Sequence, residues 1–160
     1  MRCFFLVAFL FPVLIHSQTT LPYKVGERSF FDISFGGIKV GTAEMLINKQ
    51  SQIKDSSTFH IIATGKTSPF FDMFFKVRDV YETYLDTLKV RPVIFLRDIR
   101  EGDFRKKQKY IFRHEDNLVF WRDTSFTIYG ETQDMLSALF YARTFEKTNL
   151  KKNRSFFVPI

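Results

Sequence analysis

The stretch RSFFDISFGGIKVGTAEMLI, residues 28–47, has the pattern of a β-hairpin. Aromatic and β-branched residues alternate with polar ones on both sides of Gly36 and Gly37, and a pair of glycines is a typical two-residue turn. Gly41 interrupts the second strand, which indicates a β-bulge or a close approach of two backbones. The stretch therefore predicts antiparallel β-structure near the start of the fold.

Short runs of the same kind continue along the chain, rich in Phe, Ile, Val, Tyr and Thr and separated by turn residues. Their spacing of roughly 8–12 residues is typical of an all-β domain. We therefore predict a mainly β fold built from consecutive antiparallel strands. The further strand segments are TFHIIATGKT (58–67), KVRDVYETYLD (76–86), RPVIFLRDIRE (91–101), FRKKQKYIFR (104–113), NLVFW (117–121) and SFTIY (125–129).

One segment, TQDMLSALFYARTF at residues 132–145, has the period of a helix instead. Thr132 is placed to act as the N-cap, and Asp134 falls in the first turn, where the helix dipole favours a carboxylate. We expect the apolar side of this helix to pack on the sheet. The residues that share the helical period are Met135, Leu136, Leu139, Phe140 and Arg143.

A short helical turn is predicted at residues 68–75, SPFFDMFF. Ser68 followed by Pro69 is typical of an N-cap and first helical residue. A membrane-binding helix should be longer and carry cations, whereas Asp72 is the only polar residue inside this turn. We therefore expect the aromatic residues to plug one end of the core, with membrane contact as the alternative. The pairs spaced four residues apart are Phe70 with Phe74 and Phe71 with Phe75.

The N-terminus resembles a secretory signal peptide over residues 1–17, with cleavage after Ser17. Its apolar run is short for a membrane span, and an uncleaved anchor is the alternative. Residues 18–160 then form a single β-rich domain, in which RSFFVPI (154–160) begins like another strand, so the chain either ends in an edge strand or lacks a C-terminal half. The only cysteine, Cys3, leaves with the signal, so the exported domain has no disulfide or thiolate site.

No catalytic constellation is visible in the exported part of the chain. His60 and His114 have no second histidine nearby, and no zinc-protease, serine-hydrolase or P-loop motif occurs. The densest carboxylates alternate with arginines that should keep their pKa values low, whereas a general acid needs a raised pKa. We expect no enzyme activity, no catalytic or metal-binding residue and no cofactor. Those carboxylates are Asp98, Glu101 and Asp103, among Arg97, Arg100 and Arg105.

The strongest polar signal is a basic strand in a chain of net charge +7. With a period of two, four cations fall on one side of the segment 104–113, and Phe104, Tyr110 and Phe112 fall on the other. These cations are possible contacts for an anionic surface, and the alternative is a hydrated outer face that protects the strand. Nucleic acid is not an expected partner of an exported protein. The four cations are Arg105, Lys107, Lys109 and Arg113.

Taken together, GERSFFDISFGGIKVGTAEMLI, ATGKTSPFFDMFFKVRDVYETYLD, RPVIFLRDIREGDFRKKQKYIF and DMLSALFYAR resemble the family known as domain of unknown function 3108. The likeness is to its exported, Bacteroidetes-type members and covers most of residues 25–145. The resemblance implies a protein of the periplasm or outer envelope of a Gram-negative bacterium, with a curved antiparallel sheet forming a roll or partly open barrel. It implies no catalytic residues. It also implies that further strands follow residue 160.

Two functional hypotheses follow from these patterns. The first is a non-enzymatic envelope protein that binds an apolar or anionic molecule, such as a lipid, glycolipid or lipopolysaccharide, in the concave face of the sheet. The aromatic richness and the basic strand favour it. The second is an envelope assembly or scaffold protein that contacts membrane proteins through exposed edge strands.

Overall fold

The computed structural model describes residues 21–145. Within them, eight strands form one curved, unclosed sheet, and every strand pairs antiparallel with its neighbours in sequence. The predicted mainly β fold with a curved open sheet is confirmed. The elements are β1 (Arg28–Phe35), β2 (Ile38–Ile53), β3 (Ser56–Thr67), α1 (Pro69–Asp72), β4 (Arg78–Asp86), β5 (Pro92–Glu101), β6 (Phe104–Arg113), a 3₁₀ turn (His114–Asp116), β7 (Leu118–Trp121), β8 (Thr124–Thr127) and α2 (Ser137–Arg143).

The first hairpin forms as its sequence predicts. Gly36 and Gly37 both have positive φ, as the tight turn between β1 and β2 requires. The expected irregularity at Gly41 is also present, because the β1–β2 register shifts next to it. A Cβ at Gly41 would lie 2.5 Å from the Lys66 carbonyl oxygen, so only glycine lets β2 and β3 pair this closely.

The core lies on one side of the sheet, which we call the inner face. Ile47, Ile61, Thr83 and Phe95 are consecutive partners across β2 to β5, so their side chains form one row on that face. Tyr23 and the helix α2 cover this row. The opposite side of the sheet, the outer face, carries the alternate residues of each strand.

The helix α2 is shorter than the predicted 132–145. It begins at Ser137 and ends at Arg143, and the Thr132 hydroxyl donates to the Tyr129 carbonyl oxygen at 2.7 Å instead of capping the helix. The predicted N-cap is therefore wrong. Asp134 caps the start of the helix in place of Thr132, because the Asp134 carboxylate accepts hydrogen bonds from the backbone N–H groups of Leu136 and Ser137 at 2.7 and 2.9 Å.

The same carboxylate joins the helix to the sheet. The hydroxyl of Thr83, in the middle of β4, donates to Asp134 at 2.6 Å, and both residues are buried. Burial raises the pKa of Asp134, while the hydrogen bonds from Thr83, Ser137 and Leu136 favour its ionised form. Three hydrogen bonds to one buried carboxylate therefore position the start of α2 over the core row.

Only part of the predicted apolar side of α2 is buried. Leu136 and Phe140 lie in the core, whereas Met135 and Leu139 stay about half exposed. The helix therefore packs along a narrow strip, as expected for two turns lying on one row of strand residues.

The aromatic turn also forms, over a shorter span than the predicted 68–75. Pro69 is the first residue of α1, and Ser68 is the N-cap residue but makes no side-chain cap. The expectation that this segment plugs the core is wrong: α1 has no buried residue, and Phe70, Phe74 and Phe75 are exposed. The physical reason is that α1 joins the ends of β3 and β4, so it extends the sheet at its end and does not fold over the inner face.

The predicted signal peptide at residues 1–17 and the predicted strand at 154–160 lie outside the described residues. No helix within residues 21–145 is long and apolar enough to span a bilayer.

Replacing Phe140 with Ala should lower the free energy of unfolding by about 3–5 kcal/mol. The side chain is 2% exposed, and its ring packs edge-on against Tyr23 with 5.0 Å between ring centroids. Leu139→Ala is the matched control, because the neighbouring side chain is 51% exposed and should change stability by no more than about 0.5 kcal/mol. Urea unfolding followed by circular dichroism measures both values, and equal losses would contradict the packing of α2.

Candidate functional site

An apolar groove of about 380 Å³ lies on the inner face, between the core and the end of the sheet that carries the Gly36–Gly37 turn. Its position follows from the register, in which Ala43 pairs with Gly65 and Gly65 with Asp79. Small side chains in adjacent strands leave space above the sheet, and a Cβ at Gly65 would meet no atom within 4 Å. The larger apolar residues around this space are Ile33, Val40, Val77 and Tyr81.

The groove is open because the residues that pack on the inner face extend over only part of it. Tyr23 and α2 pack on the row of Ile47 and Ile61, and no residue of α2 lines the groove. Met45, Ala63 and Tyr81 form the next row, partly buried against the core. The apolar surface therefore continues past the end of the helix.

Two charged residues border the groove, and their side chains lie on different faces of the sheet. Asp79 is buried, and its Oδ1 accepts the backbone N–H of Arg100 at 2.8 Å. Lys66 alternates with Gly65 along β3, so its side chain is on the outer face, like that of His60, where it is exposed. Burial, and then the Asp79 carboxylate, raise the pKa of the Tyr81 phenol, so this group stays neutral at physiological pH. The arrangement can hold an apolar ligand.

The predicted basic surface forms, but on the other side of the sheet. Gln108 and Tyr110 of β6 are turned toward the inner face, where Tyr110 packs against the core. The four cations alternate with them and are all exposed on the outer face. The structure therefore groups Arg105, Lys107, Lys109 and Arg113 with one another but not with the apolar groove.

Three of the four cations make local contacts within the described residues. The Arg105 guanidinium donates to the Gly102 carbonyl oxygen at 2.6 Å, and Lys107 lies 3.2 Å from an oxygen of Asp98. The guanidinium of Arg113 stacks over the Phe120 ring, 4.7 Å from its centroid. Lys107 and Lys109 also line a shallow outer groove of about 430 Å³ together with Leu96, Ile111 and Phe120. This surface is available to an anion, although no residue encloses it.

The carboxylate beside this surface is held in its ionised form. Hydrogen bonds from Arg100, then from Lys107, lower the pKa of Asp98 to about 2. Arg100 lies 2.6 Å from it, and Lys107 approaches from the neighbouring strand. This agrees with the expectation that the arginines keep nearby carboxylates acidic, and it makes Asp98 unsuitable as a general acid at neutral pH.

A histidine–carboxylate pair that the sequence analysis did not identify lies on the outer face. His60 Nε2 is 2.6 Å from Glu82 Oε2, and the His60 ring stacks on Tyr84 at 4.5 Å between centroids. The two residues are 22 positions apart, so only the pairing of β3 with β4 brings them together. Within residues 21–145, no group of three or more potential metal ligands occurs, at this pair or elsewhere.

His114 makes different contacts from this pair. Its Nε2 donates to the Pro92 carbonyl oxygen at 2.9 Å, in the tautomer that this contact requires. Burial lowers the pKa of His114, which favours the neutral imidazole. Its contacts connect the 3₁₀ turn to β5, which is a structural role.

Within residues 21–145, these features define a class of protein: an open, curved antiparallel sheet on whose inner face the short helix α2 packs, with an apolar groove beside it. Residues 31–160 match the family described as protein of unknown function DUF3108. The chain belongs to this family, as the resemblance of its strand segments indicated. No curated protein and no solved structure matches the chain.

Replacing Arg100 with Gln should raise the pKa of Asp98 from about 2 toward its ordinary value near 4, because the largest cause of the lowered pKa is removed. The contact of Asp98 with Arg100 stabilises the fold above the unfolded pKa of Asp98, and this stabilisation is lost as the pH falls through about 2. Because the variant lacks the contact, its free energy of unfolding should decrease less between pH 4 and pH 2. Carboxyl NMR titration measures the pKa directly.

Asp72 is the internal control in the same titration. Its pKa is also lowered to about 2, first by a hydrogen bond from Arg78, and it does not contact Arg100. Its titration should be the same in both proteins. An unchanged Asp98 in the variant would show that Arg100 does not hold this carboxylate.

Proposed function

We propose that this protein is a non-enzymatic, exported envelope protein that binds an apolar or anionic envelope molecule, a lipid or glycolipid, on the inner face of its curved sheet. The observation that supports this function best is the apolar groove beside the core. Its volume, about 380 Å³, is in the range of small-molecule sites.

The energetics favour a chain-like apolar ligand. Each methylene group transferred from water into such a groove contributes about 0.8 kcal/mol, so a few methylene groups offset part of the entropy lost on binding. Gly41, Ala43, Ala63 and Gly65 present little side-chain volume, which lets a narrow ligand approach the backbone. The apolar part of the ligand would lie between Ile33 and Tyr81.

Filling the groove should prevent this binding. Gly65→Leu places a branched side chain where a Cβ meets no neighbour, so it should occupy the groove without disturbing the strands. We expect it to weaken binding of a fluorescent fatty acid by about tenfold or more, equivalent to about 1.4 kcal/mol. Fluorescence titration of the purified full-length protein is the measurement.

The matched control is Ser125→Leu, which adds the same side chain on the exposed strand β8, away from the groove. It should bind the fatty acid like the unmodified protein, and both variants should have unchanged circular dichroism. Equal binding by all three proteins, or no binding by the unmodified protein, would reject the groove as a lipid site.

A second candidate function is an envelope scaffold that acts through protein contacts. The observation that favours it is the edge strand β1, which pairs only with β2 in the described part of the sheet and exposes Phe30 and Phe31. An unpaired strand edge with exposed apolar residues can add a strand of a partner. Crosslinking should then recover specific membrane proteins, and Phe30→Lys should remove them. A clean monomer in both samples would count against this function.

A further inference from the structure

Three chain connections meet at one end of the sheet, and we call this region the apolar end. It comprises the β1–β2 turn, the segment 68–77 that contains α1, and the β5–β6 turn. The backbone N–H of Ser68 donates to the Val40 carbonyl oxygen at 2.9 Å, which joins the segment 68–77 to the β1–β2 turn. The N–H of Gly102 donates to the Lys76 carbonyl oxygen at 2.8 Å, which joins the segment 68–77 to the β5–β6 turn.

Large apolar side chains are exposed on all three connections. Phe74, at the centre, has 74% of its surface accessible, and the ring of Phe75 lies against Gly102, where an added Cβ would be 2.9 Å from Cε2. A cluster of this kind is unusual on a protein surface and marks a site of interaction. The exposed apolar residues of this end are Phe35, Ile38, Phe70, Met73, Phe74 and Phe104, with Phe75 beside them.

Polar contacts hold the aromatic segment in place. The carboxylate of Asp72 accepts two hydrogen bonds from the Arg78 guanidinium, and the Thr67 hydroxyl donates to the same carboxylate. These contacts connect α1 to the ends of β3 and β4. They also neutralise the one acidic group inside the aromatic segment, which removes an obstacle to contact with an anionic surface.

Three exposed lysines lie beside the aromatic residues, and one exposed carboxylate, Asp103, lies in the β5–β6 turn. Lys66, Lys76 and Lys106 are exposed and form no salt bridge to any carboxylate within residues 21–145. Their long aliphatic stems allow the ammonium groups to reach past the aromatic rings toward phosphate groups. An exposed aromatic cluster bordered by lysines has the composition of a surface that enters the interfacial layer of a bilayer.

We propose that the apolar end docks on an anionic lipid bilayer, with the Phe70 and Phe74 rings at the acyl boundary and the lysines on lipid phosphates. Docking on a bilayer goes beyond ligand binding in the groove, because the contacted lipids stay in the bilayer. A second copy of the chain fits less well as the occupant, since two such ends in contact would oppose their unpaired lysines.

The other end of the sheet supplies the contrast. It carries the turn at Lys54 and Asp55 and the ion pair of Lys89 with Glu115, 2.7 Å apart. Leu88, 89% exposed, lies among these charged groups. Docking by the apolar end therefore predicts that positions 74 and 88 respond differently to vesicles.

The experiment uses two full-length proteins in which the only tryptophan, Trp121, is first replaced by Phe. One then carries Phe74→Trp and the other Leu88→Trp. With vesicles of phosphatidylcholine and phosphatidylglycerol, the tryptophan at position 74 should shift its emission to shorter wavelength and be quenched by brominated lipid. The tryptophan at position 88 should do neither.

Affinity variants test the two components of the contact. Phe70→Ala and Phe74→Ala should each weaken vesicle partitioning by up to about tenfold, since each removes most of an aromatic side chain from the interface. Lys76→Gln should weaken partitioning to vesicles with phosphatidylglycerol but not to phosphatidylcholine alone. Lys54→Gln, at the opposite end, should change neither. Circular dichroism should be unchanged throughout, because all four side chains are exposed.

Three results would overturn the proposal. These are no partitioning of the full-length protein, the same response at positions 74 and 88, or a tryptophan at position 74 that is already shielded without vesicles. The last would show that another part of the chain or a protein partner covers the apolar end. Gly65→Leu separates this contact from the groove, because it should keep vesicle partitioning even if it loses the fatty acid.

Discussion

The hydrogen bond from the Thr83 hydroxyl to the Asp134 carboxylate connects the one helix of the described fold that packs on the sheet to the middle strands. Asp134 also accepts the backbone N–H groups at the start of α2, so a single buried carboxylate sets both the position and the beginning of the helix. The helix then covers the core row of Ile47 and Ile61, and its seven residues reach no further. The extent of the core and the start of the groove both depend on this placement.

The sheet has two different ends because its connections have different chemistry. At one end, apolar residues fill the β1–β2, β3–β4 and β5–β6 connections, and backbone hydrogen bonds hold the three together. At the other end, the connections carry ion pairs such as Lys89 with Glu115. The apolar groove opens between the core and the first of these ends, through Val40 and Val77. A lipid in the groove and a bilayer at the apolar end would therefore be neighbours, although the two proposals stand on separate residues.

Much of the fold could be predicted from local patterns. The Gly36–Gly37 turn, the strand segments and the existence of α2 follow from periodicity and turn residues, which act over a few positions. The start of α2 could not be predicted from local patterns, because Thr132 and Asp134 both suit a cap and only the position of Thr83 favours Asp134. The apolar groove was missed because its small residues become neighbours only through the register of β2, β3 and β4. The contact of His60 with Glu82 depends on the same long-range pairing.

By itself, the sequence determined that this chain forms consecutive antiparallel strands, where the first hairpin turns, and which cations share one side of β6. Alternation of side chains along a strand is a local rule, so these features need no knowledge of the rest of the fold. Only the tertiary structure decided which apolar residues are buried. Phe140 and Phe74 both belong to predicted helical segments rich in aromatic residues, yet one lies in the core and the other is exposed. The difference is that α2 packs across the inner face, whereas α1 extends the sheet at its end, where no described element covers it.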